Sequence, residues 1–261
     1  MDYRQITVAD KESPIQCIWQ LRGTSTDPQR VVTDARCEII LHLANPFREL
    51  RDRQWSSQAS TIVCGQITRP LRLCPGGETN TIGIRLRSWA TGATLNTPAA
   101  ILTNQIEEAR SVSRQLCDAI KETLHASSQD LQQALAPLIG LLYQSSKRLE
   151  EKVVIAVTRA EKDDGQCTVD DLAQAAGVSA RQLDRLMLAS VGVTPKLFLR
   201  MLRFRKAIAL HDRQHSWANI AAECGYHDQS HMVREFKQFA GESPTVAIGE
   251  KSDLATHFLD G

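Results

Sequence analysis

The stretch CGYHDQSHMVREFK, residues 224–237, decides how this chain is read. Just ahead of it, Ser216 to Glu223 has helical spacing, with Trp217, Ile220, Ala221 and Cys224 on one apolar face. Gly225 predicts the end of that helix, because the residue after a C-cap often takes a positive φ that only glycine adopts without steric cost. A second helix is predicted from Asp228, a good N-cap, with Met232, Phe236 and Phe239 turned inward. Gln229, Ser230, Arg234 and Lys237 then point outward. Two short helices about a glycine turn describe a helix-turn-helix, and an ordinary helical hairpin shares the same local pattern.

The layout occurs twice. In TVDDLAQAAGVSARQLDRLM, residues 168–187, Leu172, Ala173 and Ala176 face inward and Gly177 makes the turn. Ser179 caps a helix with Leu183, Leu186 and Met187 inward and Arg181, Asp184 and Arg185 outward. Between the two units, Thr194 caps a long helix that opens with Pro195 at its first position, where a missing N–H costs nothing. Some 17 residues of helix span roughly 25 Å, near the roughly 34 Å of one DNA turn that separates successive major-groove segments on one face.

Residues from about 152 to 249 resemble the DNA-binding domain of the AraC/XylS family of bacterial transcription regulators. The residues that carry the resemblance include Leu172-Ala173, Gly177-Val178-Ser179, Arg181 to Leu186, Gly192 to Pro195, Arg203 with Ala207, Ile220-Ala221 and Gly225-Tyr226. Asp228 to His231, Arg234, Phe236-Lys237 and Gly241 to Pro244 complete it. Three positions depart from the family pattern. Met232 stands for an aromatic residue, Tyr226 for a phenylalanine, and the arginine expected soon after Pro244 is missing from Val246-Ala-Ile-Gly249.

The resemblance implies that outward residues near the start of each second helix meet base edges. Here those are Arg181, Asp184 and Arg185 in the first unit, and Gln229, Ser230, Val233 and Arg234 in the second. Arginine can pair with guanine and glutamine with adenine; Asp184 would accept from a cytosine amino group or orient a neighbouring arginine, and Val233 would touch a thymine methyl or pack. Phosphate candidates are Lys196, Arg200, Lys206 and Lys237, together with the helix starts capped by Ser179 and Asp228, whose caps also stabilise the helices themselves. Arg203 and Arg205 are read as bracing the linking helix. One monomer would cover an asymmetric site of about 15–20 base pairs.

The 261 residues suffice for two cores, and the formal charge of +1 says nothing about partners. Its distribution says more: from Arg181 to Lys237 there are 10 Lys/Arg against 5 Asp/Glu. That is a mildly basic patch, compatible with DNA. No apolar run approaches the ~20 residues of a membrane span, and Met1-Asp-Tyr-Arg-Gln5 is not a signal peptide, so a cytoplasmic chain is expected. The 7 cysteines show no C-x-x-C pair and read as reduced, buried thiols, with Cys64 and Cys74, flanking an expected hairpin, as an oxidant-sensing alternative.

The first half changes character. Residues 15–21, 38–43, 61–67, 71–74 and 81–87 are short apolar or alternating runs, separated by Thr26-Asp-Pro28, Asn45-Pro46, Arg69-Pro70 and Pro75-Gly-Gly77. In the last run Ile82, Ile84 and Leu86 share one face, with Arg85 and Arg87 opposite. The fold expected is α+β: an antiparallel β-rich barrel or sandwich over 1–110 and a helical linker or dimerisation region over 111–150. A two-unit all-α DNA-binding domain over 151–249 and a tail over 250–261 follow. Cys17 to Leu21, Asp34, Glu38 to Leu43, Gly65 to Leu73 and Gly83 to Arg87 resemble the β-rich domain of one branch of the same family, often cupin-like, which binds small effectors or dimerises. His42 and Glu38 share a strand face but fall short of the three ligands of a metal site, so no metal or cofactor is expected. Two apolar stripes, Val112 to Leu124 and Leu131 to Leu149, read as core or as a partner helix, and the second, leucine-rich and between domains, as a dimer contact.

No phosphate-binding glycine loop, nucleophile elbow or catalytic zinc spacing is present, so no enzyme is expected. The leading expectation is an effector-responsive activator or repressor bound to double-stranded DNA, with a small molecule, a second copy and RNA polymerase as further partners. Its alternatives are a regulator whose first half only dimerises, and a cupin-like enzyme fused to a DNA-binding domain.

Overall fold

The computed structural model describes residues 1–125, 131–146, 149–212 and 215–249. Strands β1 (Asp2–Thr7), β2 (Ile15–Ser25), β3 (Gln29–Val31), β4 (Cys37–His42), β5 (Arg48–Arg51) and β6 (Gln54–Ser57) come first. β7 (Thr61–Cys64), β8 (Leu71–Cys74), β9 (Gly77–Leu86) and β10 (Ile106–Glu108) complete the β-rich half. They form two antiparallel sheets, one in the order β1-β2-β9-β4-β7-β10 and one in the order β3-β8-β5-β6. The spine is the β2–β9 pairing, from Ile15 opposite Leu86 to Ser25 opposite Gly77.

Period-2 alternation decides what each face of the larger sheet touches. Ile39, Leu41, Val63, Ile82, Ile84 and Leu86 pack outward under helices, while Cys17, Trp19, Leu21, Phe47, Ile67 and Leu73 fill the space between the sheets. The covering helices are α1 (Thr91–Leu95), α2 (Ala109–Val112), α3 (Arg114–His125) and α4 (Leu131–Ser146). Leu116, Ile120, Leu135, Leu138 and Leu142 are buried in that layer. The stretch expected as a linker or dimer contact is therefore core of the first half, because the outer sheet face needs a cover. Leu124 stays about half exposed and Leu149 packs on the second half, while the Leu131 side chain lies outside the described residues.

One further expectation is corrected. Cys64 and Cys74 do not flank a hairpin, since β7 and β8 belong to different sheets. Arg85 faces away from the isoleucines as expected, but into the space between the sheets, where it is 1% exposed.

The second half is α5 (Glu151–Lys162), α6 (Val169–Ala175), α7 (Ala180–Ser190), α8 (Pro195–Asp212), α9 (Trp217–Glu223), α10 (Gln229–Ala240) and α11 (Pro244–Gly249). Its core joins Val153, Leu172, Leu183, Phe198, Phe204 and Phe236, and it also takes in Val32, Ala35, Trp89 and Ala90 from the first half. The expected tail over 250–261 lies outside the described residues.

Candidate nucleic-acid interface

Each unit is built by caps that the sequence encodes. Thr168 and Asp171 form a reciprocal capping box at the start of α6, and Ser179 Oγ accepts from the Gln182 N–H at 3.2 Å to start α7. In the second unit Ser216 Oγ accepts from the Asn219 N–H at 3.3 Å, and Asp228 Oδ1 accepts from the His231 N–H at 2.6 Å. That backbone bond, with the neighbouring His227, holds the Asp228 carboxyl below its usual pKa. The turns pass through Gly177 and Gly225, at φ of 63° and 69°, where a side chain would be strained.

The 18-residue α8, about 27 Å long, lies between the units. Phe204 packs edge-on to Phe236 at 4.9 Å between centroids and tilts against Phe239 at 5.3 Å. Met232, which departs from the aromatic of the family pattern, is fully buried in the same layer. Tyr226 is buried with the Arg203 guanidinium 5.9 Å over its ring, and burial raises its pKa.

These contacts leave one face of α7 and one face of α10 open. On α7, Arg181, Asp184 and Arg185 are exposed, as are Gln229, Ser230 and Arg234 on α10; Val233 is half-buried. Among the described residues none of those six polar side chains makes a hydrogen bond or salt bridge, so Asp184 does not orient either arginine. Lys196 and Lys237 are likewise exposed.

Two phosphate candidates are placed differently. Arg200 donates from Nε to Glu235 Oε1 and from Nη2 to Gln238 Oε1, both at 2.5 Å, and lies 5.4 Å over the Phe239 ring. Lys206 pairs with Asp164 at 3.4 Å and is only 19% exposed. Both tie α8 to its neighbours through these bonds. Arg203 braces as expected, donating to the Gly165 carbonyl at 3.3 Å.

Sequence reasoning missed the polar cluster between the sheets. Glu38 Oε1 accepts from Trp19 Nε1 at 3.1 Å and from Arg85 Nε at 2.8 Å, and Asp34 sits 3.4 Å from Arg85. Burial raises the Glu38 pKa against the pull of Arg85, whose own pKa the two carboxylates keep high despite its burial. The alternation of β4 and β9 was the available signal, since it puts Glu38 and Arg85 on the same inner face, directly opposite in register. His42 donates from Nε2 to Gln58 Oε1 at 3.1 Å, which leaves Nδ1 to accept from the Thr81 hydroxyl at 3.0 Å; burial lowers its pKa to about 4. Among the described residues no group of three His, Cys, Asp or Glu is placed to hold a metal. Burial also raises the Cys64 thiol pKa, the opposite of what an oxidant sensor needs.

The void among these groups is small, about 50 Å³. A larger cleft of about 630 Å³ opens between the halves, lined by Arg30, Arg51, Arg69 and Arg72 with Glu49, Asp52 and Glu242. No helix among the described residues is long and apolar enough to cross a membrane.

Comparison with known proteins places two family models on the chain. Residues 172–248 match the "Helix-turn-helix domain" model, and residues 12–108 match "Domain of unknown function (DUF6597)". An uncharacterized HTH-type transcriptional regulator of Haemophilus influenzae is 26% identical over 140 residues, covering 51% of this chain and 45% of that relative. The chain thus matches about half the length of that curated relative. The crystal structure of ToxT from Vibrio cholerae O395, bound to (E)-4-(8-methylnaphthalen-1-yl)but-3-enoic acid, is 10% identical with a TM-score of 0.47, covering 95% of this chain and 99% of that one. The AraC-like transcriptional activator CuxR is 10% identical with a TM-score of 0.33, covering 77% and 85%.

Proposed function

We propose, from the premise that residues 172–248 are a helix-turn-helix domain of the AraC type, that the chain is a sequence-specific DNA-binding transcription regulator. One observation carries the reading: α7 and α10 each present unpartnered polar side chains in their first two turns, while the opposite face of each helix packs into a common core. Arg181, Asp184 and Arg185 would read one major-groove segment, and Gln229, Ser230, Val233 and Arg234 the next, on an asymmetric site of about 15–20 base pairs. Lys196 and Lys237, with the capped starts of α7 and α10 at Ser179 and Asp228, would meet phosphates.

The finer proposal is that a small molecule tunes this binding. The cleft between the halves supports it, because four arginines at its rim against three carboxylates favour an anionic compound. The second reading, a first half that dimerises or steadies the DNA-binding half without an effector, is favoured by the nearly filled space between the sheets.

The test is selection of bound sequences from random and genomic DNA with the full chain, repeated with Arg185→Ala and Arg234→Ala. Enrichment of one asymmetric motif, altered at different positions by the two variants, is expected. No enriched motif would remove the reading. A thermal-shift panel of small carboxylates and phosphates separates the effector reading, which requires a shift, from the effector-free one.

A further inference from the structure

Both reading helices end against the first half of the chain. At the end of α7, the Gly192 carbonyl accepts from Thr103 Oγ1 at 2.6 Å. A Cβ on Gly92 of α1 would lie 2.3 Å from the Ala189 carbonyl oxygen, so α1 and the last turn of α7 meet backbone to backbone. At the end of α10, the Ala240 carbonyl accepts from Arg30 Nη1 at 3.3 Å, and Pro70 Cγ lies 3.1 Å from where a Gly241 Cβ would stand.

The two contacts belong to one frame. Asn104, next to Thr103, accepts through Oδ1 from the Thr68 N–H at 2.8 Å, and its own N–H donates to the Gln66 carbonyl at 2.8 Å. Thr68 leads in two residues to Pro70, and Arg30 sits opposite Arg72 in the β3–β8 ladder. Thr103 and Arg30 are therefore jaws of a single rigid piece, bridged by Asn104 and Thr68.

We propose that Thr103 and Arg30 are positioning residues for DNA reading, and that the first half sets the separation of the two reading helices by holding the C-terminal end of each. The proposal rests on the DNA-reading function above. Its physical basis is a matter of tolerance. Two helices that must seat in successive groove segments are useful only if their mutual position is held to well under the step of one base pair, about 3.4 Å along the axis. α8 links the units from within, and a second tie on the far ends turns a hinge into a closed frame. The exposed reading residues lie between the first residue and the middle of α7 and α10, away from the jaws, so a small change at the jaws is carried to them as a tilt.

The measurement uses the full chain and the sequence it selects. One base pair is inserted or deleted between the two contacted blocks, and binding is read by mobility shift at fixed salt. The wild-type chain is expected to lose about tenfold or more on either change. Thr103→Val and Arg30→Gln are each expected to narrow that loss to about threefold or less while weakening the native spacing severalfold, and Thr103→Ser is expected to restore it. Asn104→Gly, which removes the side-chain half of the bridge and tolerates the positive φ of that position, 60°, should behave like the jaw variants. Mere loss of stability would weaken all spacings alike. Folded variants that keep the wild-type spacing penalty would overturn the clamp and leave the DNA-reading function standing, as would Thr103→Ser behaving like Thr103→Val. Failure of the chain to select any sequence would remove both.

Discussion

Arg36 of the β-rich half and Glu161 of α5 meet across the seam, with Arg36 Nη1 donating to Glu161 Oε1 at 2.5 Å and also to Ser88 Oγ. Arg36 is 7% exposed and Glu161 26%. Burial, with Arg36 close by, lowers the pKa of Arg205 to about 10, and Glu161, with Asp34 and Asp164 behind it, offsets the repulsion between the two guanidinium groups. Glu161→Gln is expected to destabilise the chain by about 3 kcal/mol in urea unfolding, because it leaves buried positive charge uncompensated. The double variant Arg36→Met with Glu161→Gln should recover part of that loss. Equal destabilisation in the single and double variants would contradict the pairing.

Gly83 stands where the Trp19 indole crosses β9: a Cβ there would lie 2.0 Å from Cε2 and 2.4 Å from Nε1. Gly83→Ala must push Trp19 off Glu38, so a loss of about 3 kcal/mol is expected, with a shifted tryptophan emission. An alanine variant as stable as the parent, with the same emission, would rule out this packing.

His42 gives the first half an acid-sensitive point. Its folded pKa is about 4 against 6.5 when free, so the folded state binds its proton less readily. The stability it contributes is fully present above about pH 6.5 and is lost as pH falls toward 4, up to about 3 kcal/mol. His42→Gln should flatten unfolding free energy between those limits. An unchanged slope would mean that His42 is not buried in its neutral form.

On DNA, Lys237→Ala is expected to weaken every sequence alike and to reduce the salt slope by about one. Arg185→Ala and Arg234→Ala should instead relax the motif at separate positions, each by about 1–3 kcal/mol of discrimination. Arg200→Ala, by contrast, should act on stability, since Arg200 is tied to Glu235 and Gln238. A salt slope that falls with Arg200→Ala at unchanged melting temperature would return it to the phosphate contacts.

The second half was legible because its signals are local. Caps at Thr168, Ser179, Ser216 and Asp228 and the glycine turns fall within one helical turn of what they organise. β2, β4, β7, β8 and β9 were legible as short apolar or alternating runs bounded by turn residues, which are also local signals. β1 was missed because Asp2 to Thr7 carries few apolar residues and is an edge strand with one neighbour. The partners of Arg85 and Arg200 were not legible because an arginine's partner is chosen by the fold: Glu38 lies 47 residues from Arg85, and Glu235 lies 35 from Arg200. Nothing near Thr103 or Arg30 in the sequence announces a contact 89 or 210 residues away.

Val32, Ala35, Trp89 and Ala90, drawn from the first half into the core of the second, bear on how such a protein can be recombined. A DNA-binding segment cut at residue 150 and grafted behind a foreign sensor would carry a bare apolar patch and an orphaned Glu161 to its new host. The graft would aggregate or bind weakly unless those four side chains and Arg36 travelled with it. In this chain the two halves share one core, and a chimaera cut at residue 150 would separate side chains that pack together.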